Sequence, residues 1–402
     1  MPAVCFYFQV HQPYRLRPFT IFDVGAGEVP SYFDDAKNAE IVRRVADKCY
    51  RPANRLLLDL IDRHEGAFSV AFSLTGTVID QLAAYAPDVL ESFKALAATG
   101  CVEVLGETDN HSLSAVMDWS EFAIEVAAHR ERITRVFGVA PKVFRNTELI
   151  YNDELASQVE ALGFAAILID GVPRILGHRS PGHIYTAANP TGLALLPKNS
   201  RLSDDIAFRF SNQGWSEWPL TAPKFAAWVR ALDGTDETVN LFLDYETFGE
   251  HQWESTGIFD FLAALPAAVL RYPENRFVTP GALVRDLPSR GALHTADWIS
   301  WADVDRDLTA WLGNNLQREA VRQVYALRDA VRASNDARLL HSWQRLLTSD
   351  HFYYMCLKWS ADGDVHKYFS PYGSPYDAYI HYVNVLQDLR VRCGVERVAG
   401  RA

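Results

Sequence analysis

Short apolar runs alternate with longer amphipathic stretches over roughly the first 280 residues of the chain. Apolar runs of four to eight residues predict buried strands, and apolar positions spaced by three and four predict helices. Repetition of strand, helix and strand predicts a parallel sheet, and this many units favours a barrel or a large open sheet. The predicted strands are 4–10, 68–74, 101–106, 142–148, 165–170 and 238–244, and the predicted helices between them lie near 37–63, 78–98, 118–137 and 152–162.

This alternation breaks at two places. Residues 171–220 are rich in Gly, Pro, Ser and Asn, which predicts an irregular loop insertion, and loops of this length are usually binding loops or lids. After about residue 285 helical periodicity replaces the strand-like runs, which predicts a C-terminal helical bundle. We therefore expect an α/β domain over 1–285 and a helical domain over 286–402 that contributes to the cleft.

Composition narrows the classes of partner and compartment. The formal net charge of −11 argues against nucleic acid, since such binders need clustered Lys and Arg to displace counterions from phosphates. The five cysteines show no C-x-x-C spacing, which argues against a zinc or redox pair. The chain begins without a basic, cleavable leader and has no apolar stretch of membrane-spanning length, so we expect a cytoplasmic protein without membrane contact.

Aromatic residues make up 12% of the chain, and several stand among polar neighbours. Any one such ring is more often part of a core, because aromatic side chains bury large areas. Together, however, they suit a sugar-binding cleft, in which ring faces stack on the apolar faces of pyranoses. The candidates for such contacts are Trp215, Trp218, Trp253 and Tyr354.

Ionisable residues stand at the ends of several predicted strands, where the active sites of parallel barrels are built. Two carboxylates that face one cleft are what cleavage of a glycosidic bond requires, one as proton donor and the other as nucleophile or base. The proton donor needs burial or a like charge to raise its pKa, and Glu246, two residues after Asp244, is a candidate for that neighbour. The strand-end residues are His11, Glu107, Glu148, Asp244 and Glu246, and Glu103 lies within the third predicted strand.

Other chemistries have weaker support. His11, His111, His251 and Asp244 are possible metal ligands, but no H-x-H or H-E-x-x-H pair places two ligands on one element, so we expect no metal. The chain has no G-x-S-x-G, Walker A or G-x-G-x-x-G motif, so neither a serine hydrolase nor a nucleotide cofactor is indicated. A metal-dependent deacetylase or mannosidase on a similar barrel, and a non-catalytic glucan-binding protein, remain open alternatives.

Five stretches of the chain, in order, resemble the conserved regions of glycoside hydrolase family 57. They are "VHQPYRL", "GCVEVLGE", "VFRNTELIYND", "LFLDYETFGEHQW" and "LLTSDHFYYM", which run from residue 8 to about 355. The resemblance implies a seven-stranded (β/α) barrel followed by a helical domain. It also implies an α-glucan or malto-oligosaccharide substrate and no cofactor.

The resemblance further implies a role for individual residues. Glu148 matches the nucleophile of a retaining mechanism, and Asp244 matches the general acid and base. Substrate contact by His251 and Trp253, which follow Asp244 closely, is a further possibility. Residues that match positions lining the subsite of the cleaved sugar are His11, Glu103, Glu246 and Asp350.

One position departs from the family pattern. Several members carry H-x-H-Q-P in the first region, whereas Gln9 stands here in place of the first histidine. This weakens the similarity to 4-α-glucanotransferases, and the chain looks most like the α-amylase branch. A 4-α-glucanotransferase or an α-glucan branching enzyme is the alternative within the family.

Overall fold

Parallel strands form the centre of the fold in the computed structural model, which describes residues 2–188, 192–272, 274–358 and 370–395. Strand β1 is buried along its whole length and pairs in parallel with β2 on one side and β8 on the other. The strands are β1 (Ala3–Val10), β2 (Val70–Leu74), β3 (Val102–Val104), β4 (Val143–Arg145), β5 (Ala166–Ile169), β6 (Tyr185–Ala187), β7 (Ala194–Pro197), β8 (Thr238–Asp244), β9 (Arg276–Phe277) and β10 (Ala292–Leu293).

Among the described residues these strands form two sheets of five strands each. One sheet has the order β3-β2-β1-β8, with β9 paired to β1, and the other has the order β10-β6-β7-β5-β4. A parallel bridge between Gly106 and Phe144 joins them on one side, and the amide of Asn199 donates to the carbonyl of Asn240 at 2.8 Å on the other. The fold is therefore α/β and barrel-like, but in the described residues the strand ladder is interrupted at these two seams rather than closed into the seven-stranded barrel that the sequence suggested.

Side chains alternate between the two faces of each strand, and this alternation fixes which residues point inward. On β1, Cys5 and Tyr7 belong to an interior cluster with Phe242, whereas Phe6 and Phe8 pack against the outer helices. The same alternation places Gln9 on the interior side of β1, and Asp244 two residues after Phe242 on β8. Polar groups thus gather at the carboxyl ends of strands whose lower halves are apolar.

Helices cover the outer faces of both sheets. Helix α6 shows why they form where they do, since the side chain of Asp118 caps its first amides and Gly138, with a φ of 78° in the left-handed region, ends it. The helices up to residue 286 are α1 (Asp35–Val45), α2 (Arg51–Arg63), α3 (Gly76–Tyr85), α4 (Pro87–Ala98), α5 (Ser114–Met117), α6 (Trp119–Phe137), α7 (Asp153–Ala161), α8 (Pro173–Leu176), α9 (Ser200–Ala207), α10 (Ala222–Arg230), α11 (Ile258–Leu270) and α12 (Pro280–Asp286).

The described part of the chain after residue 300 is mainly helical. Its helices share an apolar core with residues near the N-terminus, among them Tyr14 and Phe19. The amide of Ser349 donates to the carbonyl of His111 at 2.9 Å, which fixes the start of α17 beside the strand ends. The helices are α13 (Thr309–Leu312), α14 (Asn315–Ala326), α15 (Arg328–Ala333), α16 (Ala337–Leu346), α17 (Ser349–Tyr353) and α18 (Pro375–Arg392).

Two sequence expectations need correction. The stretch 171–220 is not irregular, because it contains α8, α9, β6 and β7, and β7 pairs in parallel with β5. A strand of four residues between Gly, Pro and Asn is too short for periodicity to show, and its partner β5 stabilises it. Strand β10 lies beyond residue 285, where we expected helices alone. In the described residues, no helix combines the length and apolar character needed to cross a membrane.

Candidate active site

A cavity of about 360 Å³ lies at the carboxyl ends of the strands. Both sheets contribute to its wall, together with a loop after β10 and helix α17. The residues that carry its chemistry are Gln9, His11, Gln12, Glu148, Lys198, Asp204, Asp244, Glu246, His251, Trp301, Arg306, Asp350 and Tyr353.

Glu148 stands directly after β4, in a single 3-10 turn at Thr147–Leu149. Its φ of 56° is in the left-handed region, where a non-glycine residue is strained, and such strain is concentrated at functional sites. Its Oε1 lies 3.1 Å from Nε2 of His111, and its Oε2 accepts a hydrogen bond of 2.6 Å from the indole nitrogen of Trp301. Both carboxylate oxygens are therefore held in place.

His111 lies buried between two carboxylates. Its Nδ1 is 3.3 Å from Oε2 of Glu107, and its Nε2 faces Glu148. Burial lowers the pKa of His111, but the hydrogen bonds to Glu107 and Glu148 outweigh it and raise the value to about 9. Burial by itself would raise the pKa of Glu107, but the hydrogen bond from His111 and nearby positive charges outweigh this effect and lower the pKa. His111 is thus a cation at neutral pH, held between two carboxyl groups.

Gln9 also belongs to this network. Its Oε1 accepts a hydrogen bond from the buried guanidinium of Arg145, and its amide nitrogen contacts the ring of His111. The guanidinium of Arg145 lies 5.1 Å from the ring of Trp301. Gln9 therefore connects the first strand to the residues that hold Glu148.

At the end of β8 the environment is different. Glu246 is only 6% exposed, its Oε1 accepts a hydrogen bond from the hydroxyl of Tyr50, and Asp244 is two residues away. Burial, and then the charge of Asp244, raise the pKa of Glu246 to about 8. The sequence suggested that Glu246 raises the pKa of Asp244. In the structure the same proximity acts on Glu246, whose own pKa is raised by burial and by Asp244.

His11 and Asp350 meet across the cavity from opposite ends of the chain. Nε2 of His11 lies 3.0 Å from Oδ2 of Asp350, and Nδ1 lies 3.0 Å from the hydroxyl of Thr75. The ring of His11 stacks on His111 with centroids 4.1 Å apart. Burial and the charge of His111 lower the pKa of His11, so this imidazole is neutral and able to accept or donate a hydrogen bond.

One group of side chains in the site has spacing suited to a metal ion. Ligand atoms of His11, His111 and Asp350 all lie within 4.8 Å of one another. A metal needs a neutral imidazole with a free lone pair, whereas both ring nitrogens of His111 face carboxylates and its pKa is about 9. The arrangement therefore favours a hydrogen-bonded network over a coordinated cation.

Glu103, expected in the cleft, lies elsewhere. It projects to the interior one layer below the strand ends, level with Ala71 and Tyr7. Its carboxylate accepts a hydrogen bond of 2.7 Å from the amide of Gly281, at the start of α12. Burial raises its pKa. Glu103 is the middle residue of β3, so Glu107, which follows the strand end, is the acid that reaches His111.

Four aromatic residues expected in the cleft also lie outside the cavity wall. Trp215 packs edge-on against Trp228, and Tyr354 is buried beside Tyr372. Trp218 and Trp253 are 45% and 59% exposed on the outer surface. Tyr353 and Trp301 line the cavity instead. The other expected residues that line it are His11, Glu148, Asp244, Glu246, His251 and Asp350.

Several residues of the site were not singled out by sequence reasoning. His111 was considered only as a possible metal ligand, and Trp301 was not considered, because it contacts Glu148 across 153 positions of sequence. Lys198 could have been found from the sequence, because it directly follows the apolar run that forms β7 and so stands at a strand end. That run was hidden in the stretch expected to be irregular.

An α/β scaffold that brings carboxylates from two strand ends into one cavity is an arrangement typical of glycoside hydrolases. Residues 5–296 match the family model described as "Glycosyl hydrolase family 57". The chain belongs to this family of glycoside hydrolases. A protein of Methanocaldococcus jannaschii, described as "Putative alpha-amylase", is 41% identical over 396 residues, which cover 96% of this chain and 83% of that protein.

Solved structures agree on the fold. A family 57 branching enzyme from Pyrococcus horikoshii is 14% identical, with a TM-score of 0.70 over 98% of this chain and 95% of its own. An alpha-amylase from Thermotoga maritima is 12% identical, with a TM-score of 0.62 over 97% and 93%. A 4-alpha-glucanotransferase from Thermococcus litoralis is 15% identical, with a TM-score of 0.60 over 88% of this chain, which spans only 50% of that longer protein.

Proposed function

We propose that the protein hydrolyses α-1,4 bonds of α-glucans with retention of configuration, with Glu148 as nucleophile and Asp244 as general acid and base. This proposal rests on the position of Glu148. It lines the same cavity as Asp244, and His111 and Trp301 contact its two carboxylate oxygens. The similarity to a protein described as an α-amylase supports the choice of substrate.

The reaction has two steps. In the first, Glu148 attacks the anomeric carbon while Asp244 gives its proton to the glycosidic oxygen, the bond to the leaving sugar breaks, and a covalent glycosyl-enzyme forms. In the second, Asp244 takes a proton from water, the hydroxide attacks the same carbon, and Glu148 is released. Two inversions at one carbon give net retention.

The surrounding residues prepare these steps. The His111 cation favours the ionised form of Glu148, which is the nucleophilic one. Glu246, whose pKa is raised to about 8, is protonated at neutral pH and able to donate a hydrogen bond to a sugar oxygen. The paired His11 and Asp350 stand where they can bind hydroxyl groups of the cleaved sugar.

The proposal includes the domain organisation. We infer that strands β1, β2, β3, β4, β5, β7 and β8 act as a seven-stranded barrel despite the two seams, and that the helical part after about residue 285 completes its cleft. Helix α17 supports this inference, since it carries Asp350 to His11. The loop after β10 supports it too, since it carries Trp301 to Glu148.

The product profile from maltoheptaose tests the function. Shorter oligomers alone support hydrolysis, whereas products longer than the substrate indicate a 4-α-glucanotransferase, and new α-1,6 linkages indicate a branching enzyme. Activity that EDTA abolishes and zinc restores would favour a metal-dependent reaction at His11, His111 and Asp350 instead. Binding of glucan without turnover would leave only a glucan-binding role.

A further inference from the structure

The loop that carries Trp301 has one defined shape. This stretch, residues 300–307, is called the Trp301 loop below. The amide of Ser300 donates to the carbonyl of Arg306 at 3.2 Å, and the hydroxyl of Ser300 donates to the carbonyl of Asp307 at 2.7 Å. Asp303 and Arg306 have φ values of 54° and 50°, a strained conformation that needs support from the surrounding structure.

Arg306 supplies such support at the ends of the strands. Its guanidinium lies 3.0 Å from Oδ2 of Asp170 and 3.4 Å from Oδ2 of Asp204. Asp170 follows β5 directly, and its side chain is 1% exposed. A buried carboxylate paired with an arginine is costly to separate, so this contact fixes the end of the Trp301 loop to the sheet.

Asp204 also holds a second cation, Lys198, near the ring of Trp301. Lys198 pairs with Oδ1 of Asp204 at 3.1 Å, and its amino group lies 5.3 Å from the centre of the Trp301 ring. Arg145 lies near the same ring at 5.1 Å. Cations near an indole ring withdraw electron density from it, which strengthens the N–H as a donor to Glu148.

We propose that Arg306 is a positioning residue for the nucleophile. It fixes the Trp301 loop to Asp170 and Asp204. This contact holds the indole of Trp301 at the position from which it donates a hydrogen bond to Oε2 of Glu148. The inference rests on the proposed role of Glu148. Because a misplacement of about 1 Å can lower a rate by about a hundredfold, we expect Arg306→Ala to lower kcat on maltoheptaose by about tenfold to a hundredfold, with KM changed by less than about threefold.

A double-mutant cycle with Trp301→Phe separates this role from direct contact with substrate. If Arg306 acts through Trp301, then Arg306→Ala lowers kcat much less in the Trp301→Phe background than in the wild type. Both single variants should also move the acidic limb of the pH profile of kcat/KM to higher pH, because each weakens the same hydrogen bond to the Glu148 carboxylate. Multiplicative losses in kcat, or a rise in KM alone, would overturn the proposal.

Two further variants guard against a general loss of structure. Arg332→Ala breaks a comparable pair with the buried Glu121, outside the cavity wall, and should leave kcat and the pH profile unchanged. Asp170→Asn keeps the volume of the side chain and should reproduce the kinetic effect of Arg306→Ala. If Arg332→Ala and Arg306→Ala lower kcat equally, the role of Arg306 is only structural.

An NMR measurement tests the contact without using activity. In protein labelled with ¹⁵N-tryptophan, the indole N–H signal of Trp301 is identified by its absence from Trp301→Phe. We expect it downfield in the wild type and shifted upfield in Arg306→Ala, but not in Arg332→Ala. An unchanged signal would overturn the inference even in an active enzyme. Wild-type protein inactive on every α-glucan, with the shift observed, would instead overturn the proposed function.

Discussion

The ends of strands β4 and β8 each bring a glutamate to the cavity, and the two side chains are held in opposite ways. Glu148 is paired with the His111 cation and accepts a hydrogen bond from Trp301. Glu246 has the like charge of Asp244 nearby and a pKa raised to about 8 by burial and by that charge. Burial and neighbouring charge, rather than residue type, therefore make one glutamate suited to attack and the other to donate a hydrogen bond.

Replacement of each glutamate by glutamine should give the largest difference between the roles of Glu148 and Glu246. Glu148→Gln removes the attacking carboxylate and should lower kcat/KM on maltoheptaose by more than about a thousandfold. Glu246→Gln resembles the protonated acid and should lower it by only about tenfold at pH 6. Glu125→Gln is the matched control, since Glu125 is buried with a pKa of about 8 and lies outside the cavity wall. Equal losses for the first two variants would contradict the comparison.

Removal of the cation should affect stability as well as activity. His111→Ala leaves Glu107 and Glu148 buried without their shared positive partner, so the free energy of unfolding at pH 7 should fall by about 3 kcal/mol. Urea unfolding measures this change. His178→Ala, at an exposed position, should alter the free energy by less than about 0.5 kcal/mol. A His111 variant as stable as the wild type would show that the two acids do not need the cation.

The pH dependence of stability should have the same sign at the two sites but begin at different pH values. The raised pKa of His111 stabilises the fold fully below about pH 6.5, and this contribution is lost as pH rises through about 9. Glu246 binds its proton more tightly when folded, so stability falls as pH rises from about 4.5 to about 8. Glu246→Gln should make that decline shallower by up to roughly 4 kcal/mol in urea unfolding at several pH values. The same slope in both proteins would exclude a protonated Glu246.

The smallest effect is expected for the exposed tryptophans. Trp218→Ala and Trp253→Ala change rings that lie outside the cavity wall, so each should alter kcat/KM on maltoheptaose by less than about twofold. Trp301→Phe, at the cavity, is the comparison and should lower kcat by at least tenfold. A large loss of kcat/KM in Trp253→Ala would show that Trp253 contacts the substrate, as the sequence suggested.

Sequence reasoning found the strands whose apolar runs are long. The predicted strand 238–244 coincides with β8, and the alternation of faces then explains why Asp244 points toward the cavity. Glu103 shows a limit of the family resemblance, which placed it beside the cleaved sugar, whereas it lies within β3 below the strand ends and outside the cavity wall. The charges of Glu246 and His111 could not be predicted from the sequence, because their pKa values depend on neighbours that only the fold brings together.

The covalent intermediate is the most direct test of the central claim. Incubation with 5-fluoro-α-glucosyl fluoride slows release of the sugar, and peptide mass spectrometry then locates the attached group. We expect one fluoroglucosyl unit on the peptide that contains Glu148, and no such adduct in Glu148→Gln. An adduct on another residue, or a β-configured first product from maltoheptaose by proton NMR, would contradict a retaining mechanism through Glu148.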